Sequence, residues 1–216
     1  LIKTCSTGGV LSKGTKVGAP QYTVEELTAL VDEAHSRGLK VASHAHGAQG
    51  IINALHAGAD TIEHASFIDE EGIRLAIANN AALSMDIYVT EYILGEGAGA
   101  GILEESLEKE RMTGSTQRAN FRKAVEAGAT IVYGTDAGVY PHGQNAKQFS
   151  RMVRFGMTPL QAIQSATVTA ADVMGLGYEV GKIEAGYAAD FVAVKGNPLE
   201  NIELLEEPAA VIKGGV

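Results

Sequence analysis

The chain repeats one short pattern, in which a helix ends at a glycine and an apolar run follows that ends at a polar residue. Gly38, Gly58 and Gly128 each separate a helical segment from such a run. A glycine in this place is typical of a helix C-terminus, and a short β-branched run is typical of a buried strand. Alternating helices and strands predict parallel βαβ units. We therefore predict an α/β fold.

The polar residues at the strand ends are the candidate functional residues. His44, His64 and Asp136 each end a predicted strand, and Lys3 lies near the end of the strand that opens the chain. Active sites built at successive strand C-termini are typical of a (β/α)8 TIM-like barrel. The sequence supplies only about five of the eight strands that such a barrel needs. We expect the C-terminal part of a barrel that belongs to a longer protein.

The repeat stops near Gly175. From Gly181 to Pro198 the sequence predicts short strands and turns without a helix. We predict two units, the barrel portion over residues 1–175 and part of a small composite β-sandwich domain over residues 176–216.

Three local patterns give separate expectations. Thr23 and Glu26 predict a capping box that begins a helix. The glycine-rich residues 93–102 predict a long loop, either a lid or a surface insertion. Pro159 predicts the first turn of a helix that runs to about Ala171.

Composition narrows the possible partners. A net charge of −9 and a pI near 5.1 argue against non-specific nucleic-acid binding, and no apolar run approaches the roughly 20 residues of a membrane span. Cys5 is the one cysteine, which excludes an internal disulfide and a cysteine-based zinc motif. We expect a small-molecule substrate, no nucleic acid and no membrane, with a homo-oligomer left open. The compartment is unassigned, with the cytoplasm as the working expectation.

Two imidazoles and a carboxylate at the strand ends predict a Zn²⁺ site, although each histidine can also be an ordinary packed residue. His46, two residues beyond His44, is predicted to support a ligand or to face the substrate. Lys3 has two interpretations. It is either an ion-pair partner or, as a neutral amine, the site of a carbamate that could bridge two metals.

The order of these motifs closely resembles the metal-dependent amidohydrolase superfamily. The matching segments are Ile2-Lys3, Ser6–Gly9, Ser43–Gly47, Ile62–Ser66, Gly134–Gly138 and Gly181-x-Ile-x-x-Gly186-x-x-Ala-Asp190. The nearest branch is the imidazolonepropionase-like hydrolases, including Xaa-Pro dipeptidase-like (prolidase-like) and Xaa-Arg carboxypeptidase-like enzymes. The resemblance covers essentially the whole chain.

This resemblance implies a role for each candidate residue. Lys3 would be the carboxylated lysine that bridges two zinc ions, and His44 and His64 would bind the second metal. Asp136 would bind the first metal and act as general base. The implied reaction is hydrolysis of an amide bond in a dipeptide or N-acyl amino acid by a hydroxide that bridges the metals. The implied substrate-pocket residues are Tyr140, His142, His46 and Tyr88.

One departure from the family pattern leaves alternatives open. The superfamily carries a His-x-His pair on its first barrel strand, and no such pair precedes Lys3. The alternatives are a cyclic-amide hydrolase like imidazolonepropionase, a mononuclear deaminase, and an inactive fragment or pseudoenzyme. An unmodified Lys3 would favour a mononuclear enzyme.

Overall fold

In the computed structural model, which describes residues 1–216, a parallel five-stranded sheet lies at the centre of the molecule. Its strands are β1 (Ile2–Cys5), β2 (Val41–Ala45), β3 (Thr61–His64), β4 (Ala82–Ser84) and β5 (Ile131–Val132). They lie side by side in sequence order, and helices connect them. The prediction of an α/β fold with a parallel sheet is confirmed.

Eight α-helices accompany the strands. They are α1 (Val24–Ser36), α2 (Ala48–His56), α3 (Glu70–Ala78), α4 (Val89–Gly95), α5 (Glu104–Glu126), α6 (Lys147–Arg154), α7 (Pro159–Ser165) and α8 (Val168–Val173). The predicted capping box begins α1, since the Thr23 hydroxyl accepts from the Glu26 amide and the Glu26 carboxylate accepts from the Thr23 amide. None of these helices has both the length and the apolar character needed to cross a membrane.

The two faces of the sheet have different environments. Ile62, Leu83 and Ile131 occupy paired positions on β3, β4 and β5 and are buried in the apolar core with residues of the surrounding helices. Side chains alternate between the faces of a strand. Lys3 pairs with Ala42, two residues before His44, so Lys3 and His44 lie on the opposite face. The alternation therefore directs both toward the side away from the helical layer.

Residues 93–102 are not a loop throughout, contrary to expectation, because α4 continues to Gly95. The glycine-rich sequence gives no apolar period, but Tyr92 and Ile93 are buried in a small cluster with Tyr88 and Tyr140. Burial of these apolar side chains stabilises a short helix that its own propensity does not predict.

A helix begins at Pro159, as predicted, but the predicted continuous helix to about Ala171 is wrong, because the segment is divided between α7 and α8. The Ser165 carbonyl, the last in α7, accepts a hydrogen bond from the Tyr133 amide just after β5. Thr167 then departs from helical geometry. In a continuous helix the Ser165 carbonyl would accept a hydrogen bond from a later residue of the same helix, but here it accepts from Tyr133 instead.

The C-terminal region contains an antiparallel pair, β6 (Phe191–Ala193) and β7 (Ala210–Ile212). It also contains a 3-10 helix at Ile202–Glu206, which the sequence did not predict. The domain limits at residues 175 and 176 and the assignment to a composite β-sandwich stay predictions.

Candidate metal site

Three histidine rings meet at the carboxyl end of the sheet. The ring centroids of His44, His46 and His64 lie 4.6–4.9 Å apart, and the His46 and His64 rings are stacked. A second group, formed by His64, Asp86 and Asp136, shares His64 with the first. In each group one ligand atom from every side chain lies within 4.8 Å of the others. The two adjoining groups offer nitrogen and carboxylate oxygen donors, which is the chemistry that zinc prefers.

His64 reaches this cluster through an unusual backbone conformation. In the sheet register it pairs with Ala45, which is fully buried on the face opposite His44. Strand alternation alone would therefore direct His64 away from His44. Its φ of 67° instead places it in the left-handed region, and its ring lies 4.6 Å from that of His44.

Asp136 shares this property, with a φ of 48° in the segment that follows β5. A non-glycine residue with positive φ is uncommon, and such strain concentrates at functional sites. Reduced contact with water raises the pKa of the Asp136 carboxyl, and the nearby carboxylate of Asp86 raises it further. A cation bound between these carboxylates would relieve their repulsion.

Asp86 is buried and fixes the orientation of His64. Both of its oxygens accept from Nδ1 of His64, at 3.0 and 3.1 Å, and Nε2 of Gln117 donates to Oδ1 at 3.0 Å. Burial acts to raise the pKa of Asp86, but the positive charge on His64 and the hydrogen bond from His64 outweigh it and lower that pKa to about 2. The carboxylate only accepts, so Nδ1 of His64 carries the proton and Nε2 is left for a metal.

His44 and His46 are neutral at physiological pH. Burial, together with the positive charge on His64, lowers the pKa of His44 to about 4. The same causes hold the pKa of His46 well below its usual range, and its Nδ1 lies 2.8 Å from the Ser66 hydroxyl. Neutral imidazoles are the form that binds metals, so this donor set fits zinc.

Lys3 lines the same cleft as His44, His64 and Asp136, and the cleft has a volume of about 210 Å³. The structure therefore brings together the four predicted metal ligands, with His46 beside them. Their roles as ligands stay predictions.

The sequence profile of the amidohydrolase family matches residues 1–216. The chain belongs to this family. The resemblance inferred from the motifs is confirmed at the level of the family.

Three relatives show the range of the match within the family. An ochratoxinase from Aspergillus niger is 36% identical over 220 aligned residues, which cover 100% of this chain and 45% of the relative. The crystal structure of a Xaa-Pro dipeptidase with bound methionine in the active site superposes with a TM-score of 0.94 and 43% identity, over 99% of this chain and 53% of that one. An imidazolonepropionase from Geobacillus sp. is 26% identical over 179 residues, 79% of this chain and 37% of the relative. The chain thus spans about half the length of the first two relatives, and less of the third.

The other predicted pocket residues of this amidohydrolase chain lie outside the cleft. Tyr88 and Tyr140 are buried against each other, with ring centroids 5.0 Å apart, and the Tyr88 hydroxyl donates to Gln144. His142 is exposed in the loop that follows. Their contact with substrate stays a prediction.

Two carboxylates of the cleft were missed by sequence reasoning. Asp86 follows the end of β4 by two residues, so the rule that selected the other strand ends could have found it. Glu110 lies in the middle of α5, and its only signal is that the buried face of this helix is polar. The buried polar residues of α5 are Ser106, Lys109, Glu110, Thr113, Gln117 and Asn120.

Proposed function

We propose that the protein to which this chain belongs is a zinc-dependent hydrolase that cleaves an amide bond in a dipeptide or an N-acyl amino acid. The observation that carries this proposal is the convergence of Lys3, His44, His64 and Asp136 on one cleft. The similarity to a Xaa-Pro dipeptidase supports a peptide-like substrate.

Each residue has a defined part in the proposed reaction. His44 would hold a metal through its neutral imidazole, His64 would do so through Nε2 after losing the proton that gives it a positive charge, and Lys3, as a carbamate, would supply an anion between two metals. A bound metal would activate water and polarise the scissile carbonyl. Asp136 would accept the proton of the attacking water and return it to the leaving nitrogen.

A second candidate is a mononuclear hydrolase or deaminase that acts on a cyclic amide or a ring. The group formed by His44, His46 and His64 favours it, because these three nitrogen donors can bind one metal without Lys3. The similarity to an imidazolonepropionase agrees with a cyclic-amide substrate.

Metal content, native mass and hydrolysis of the full-length protein test these alternatives. In bicarbonate buffer we expect about two zinc ions per chain, a mass increase of one CO₂, and dipeptide hydrolysis that a chelator abolishes. Lys3→Ala should lose the CO₂ adduct and most activity, whereas Lys195→Ala, an exposed control in the C-terminal region, should lose neither. One metal without the adduct would favour the mononuclear candidate. Undiminished hydrolysis in chelator, with no zinc bound, would refute both.

A further inference from the structure

Glu110 is a buried carboxylate in the cleft with no assigned role. It lies in the middle of α5, only 3% of the residue is exposed, and its side chain lines the same cleft as Lys3, His44 and Asp136. Its Oε1 atom is buried and has no hydrogen-bond partner. A buried carboxylate oxygen without a hydrogen-bond partner lowers the stability of the folded state, so a bound ligand that donates to this oxygen would remove that cost.

The groups around Glu110 do not satisfy this oxygen. The Thr90 hydroxyl lies beside it and acts to lower its pKa, but the two oxygens do not reach hydrogen-bond geometry. Asp86 repels it. The Arg118 guanidinium attracts it, but donates instead to the Ile87 carbonyl and to Glu91.

The helix face around Glu110 indicates a binding surface. Thr113 and Gln117 follow it by three and seven residues on the same side of α5, and both line the cleft. The absence of a side chain at Gly114 leaves space for the Glu110 carboxylate, because a Cβ at residue 114 would lie only 2.9 Å from Oε1 of Glu110. The helix therefore presents polar groups where it meets the cleft and apolar groups, Phe121 and Ala124, where it meets the core.

We propose that Glu110 binds the α-ammonium group of a dipeptide substrate. This inference rests on the proposed function and narrows it, because an N-acyl amino acid has no α-ammonium group to offer. An ammonium group supplies donors to the unpartnered oxygen and a positive charge to a carboxylate that no cation of the chain engages directly. Burial raises the pKa of Glu110 to about 7, and a bound cation would return the carboxyl to its charged form.

Hydrolysis of two matched substrates by the full-length protein tests this inference. An alanyl dipeptide and its propionyl analogue differ only in the α-amino group. We expect Glu110→Gln to lower kcat/KM for the dipeptide by about 10- to 100-fold, the usual effect of losing a hydrogen bond to a charged group, and to change the propionyl compound by less than about threefold. Glu108→Gln, an exposed neighbour on the same helix, should change neither.

The outcomes separate this inference from the proposed function. Equal losses for both substrates would show that Glu110 only supports the fold, and would overturn the inference while the proposed function stands. If the wild type hydrolyses neither substrate, the proposed function fails, and calorimetric binding of the same two compounds decides the inference. Binding of the dipeptide alone, lost in Glu110→Gln, would support it. Equal binding or none would overturn it. If Glu110→Gln does not fold, Glu110→Asp, which keeps the charge at shorter reach, should show a smaller loss confined to the dipeptide.

Discussion

Replacing Asp86 with asparagine should weaken both the fold and the metal site, because Asp86 holds His64 in place. Asparagine keeps the shape of the side chain but removes its charge. Nδ1 of His64 and Nε2 of Gln117 both donate to Oδ1 of Asp86, and an asparagine Oδ1 can still accept both. Oδ2, which now also lies 3.1 Å from Nδ1 of His64, would become an amide donor, so two donors would face each other in a buried position.

The size of the effect follows from the pKa of Asp86, which falls from 3.8 to about 2 on folding. A difference of nearly two units corresponds to about 2 kcal/mol of folding free energy. Asp86 is almost fully buried, so screening by water reduces this little. Because the pKa is lowered in the folded state, the contribution is full above pH 3.8 and is lost as the pH falls through 2. The effect of Asp86→Asn should therefore be largest at neutral pH and shrink below about pH 4.

Urea unfolding in chelator at pH 7 and pH 3 measures the stability term, and competition with a chromophoric chelator measures zinc affinity. We expect a loss of about 2 kcal/mol at pH 7 and a 10- to 100-fold weaker metal site, the usual cost of removing the partner of a ligating histidine. Asp32→Asn on the exposed side of α1 serves as the control and should behave as the wild type. An Asp86→Asn protein with unchanged stability at pH 7 and unchanged zinc affinity would refute this reasoning.

Three further substitutions test other parts of the structure. Gly114→Ala should destabilise the protein by about 1–3 kcal/mol in thermal or urea unfolding, because the new Cβ would lie 2.3 Å from the Thr90 side chain. Alanine has the better helix propensity, so a more stable variant would contradict the packing of α4 on α5. The raised pKa of Glu110 favours the folded state only while the carboxyl is protonated, so the metal-free wild type should lose up to about 3 kcal/mol of folding free energy as the pH rises from 4.5 through 7. Glu110→Gln should not show this loss, and parallel profiles of stability against pH for the two proteins would refute the prediction. Asp136→Asn should lower kcat by about 100-fold or more through loss of the general base, and full activity in this variant would disprove the role of Asp136. The stability of the metal-free protein at pH 7 should stay the same or rise, because asparagine tolerates positive φ and is not repelled by Asp86.

The sequence by itself determined the parallel α/β architecture and the place of the site. Gly38, Gly58 and Gly128 all have positive φ just after helices, as the pattern predicted. A helix stop, a short apolar strand and a polar end are local signals, and in a parallel sheet the strand ends meet at one edge whatever the details of packing. This is why His44, His64, Asp136 and Lys3 could be grouped in advance.

Only the tertiary structure decided how the site is completed and oriented. The left-handed backbone of His64 reverses the direction that strand alternation predicts, and Asp86, two residues beyond β4, then fixes the ring by accepting hydrogen bonds from it. Glu110 belongs to the cleft because α5 packs its polar face there, and the division between α7 and α8 depends on a hydrogen bond from Tyr133. Each of these features depends on contacts between residues far apart in the chain, so no local pattern of residues specifies them.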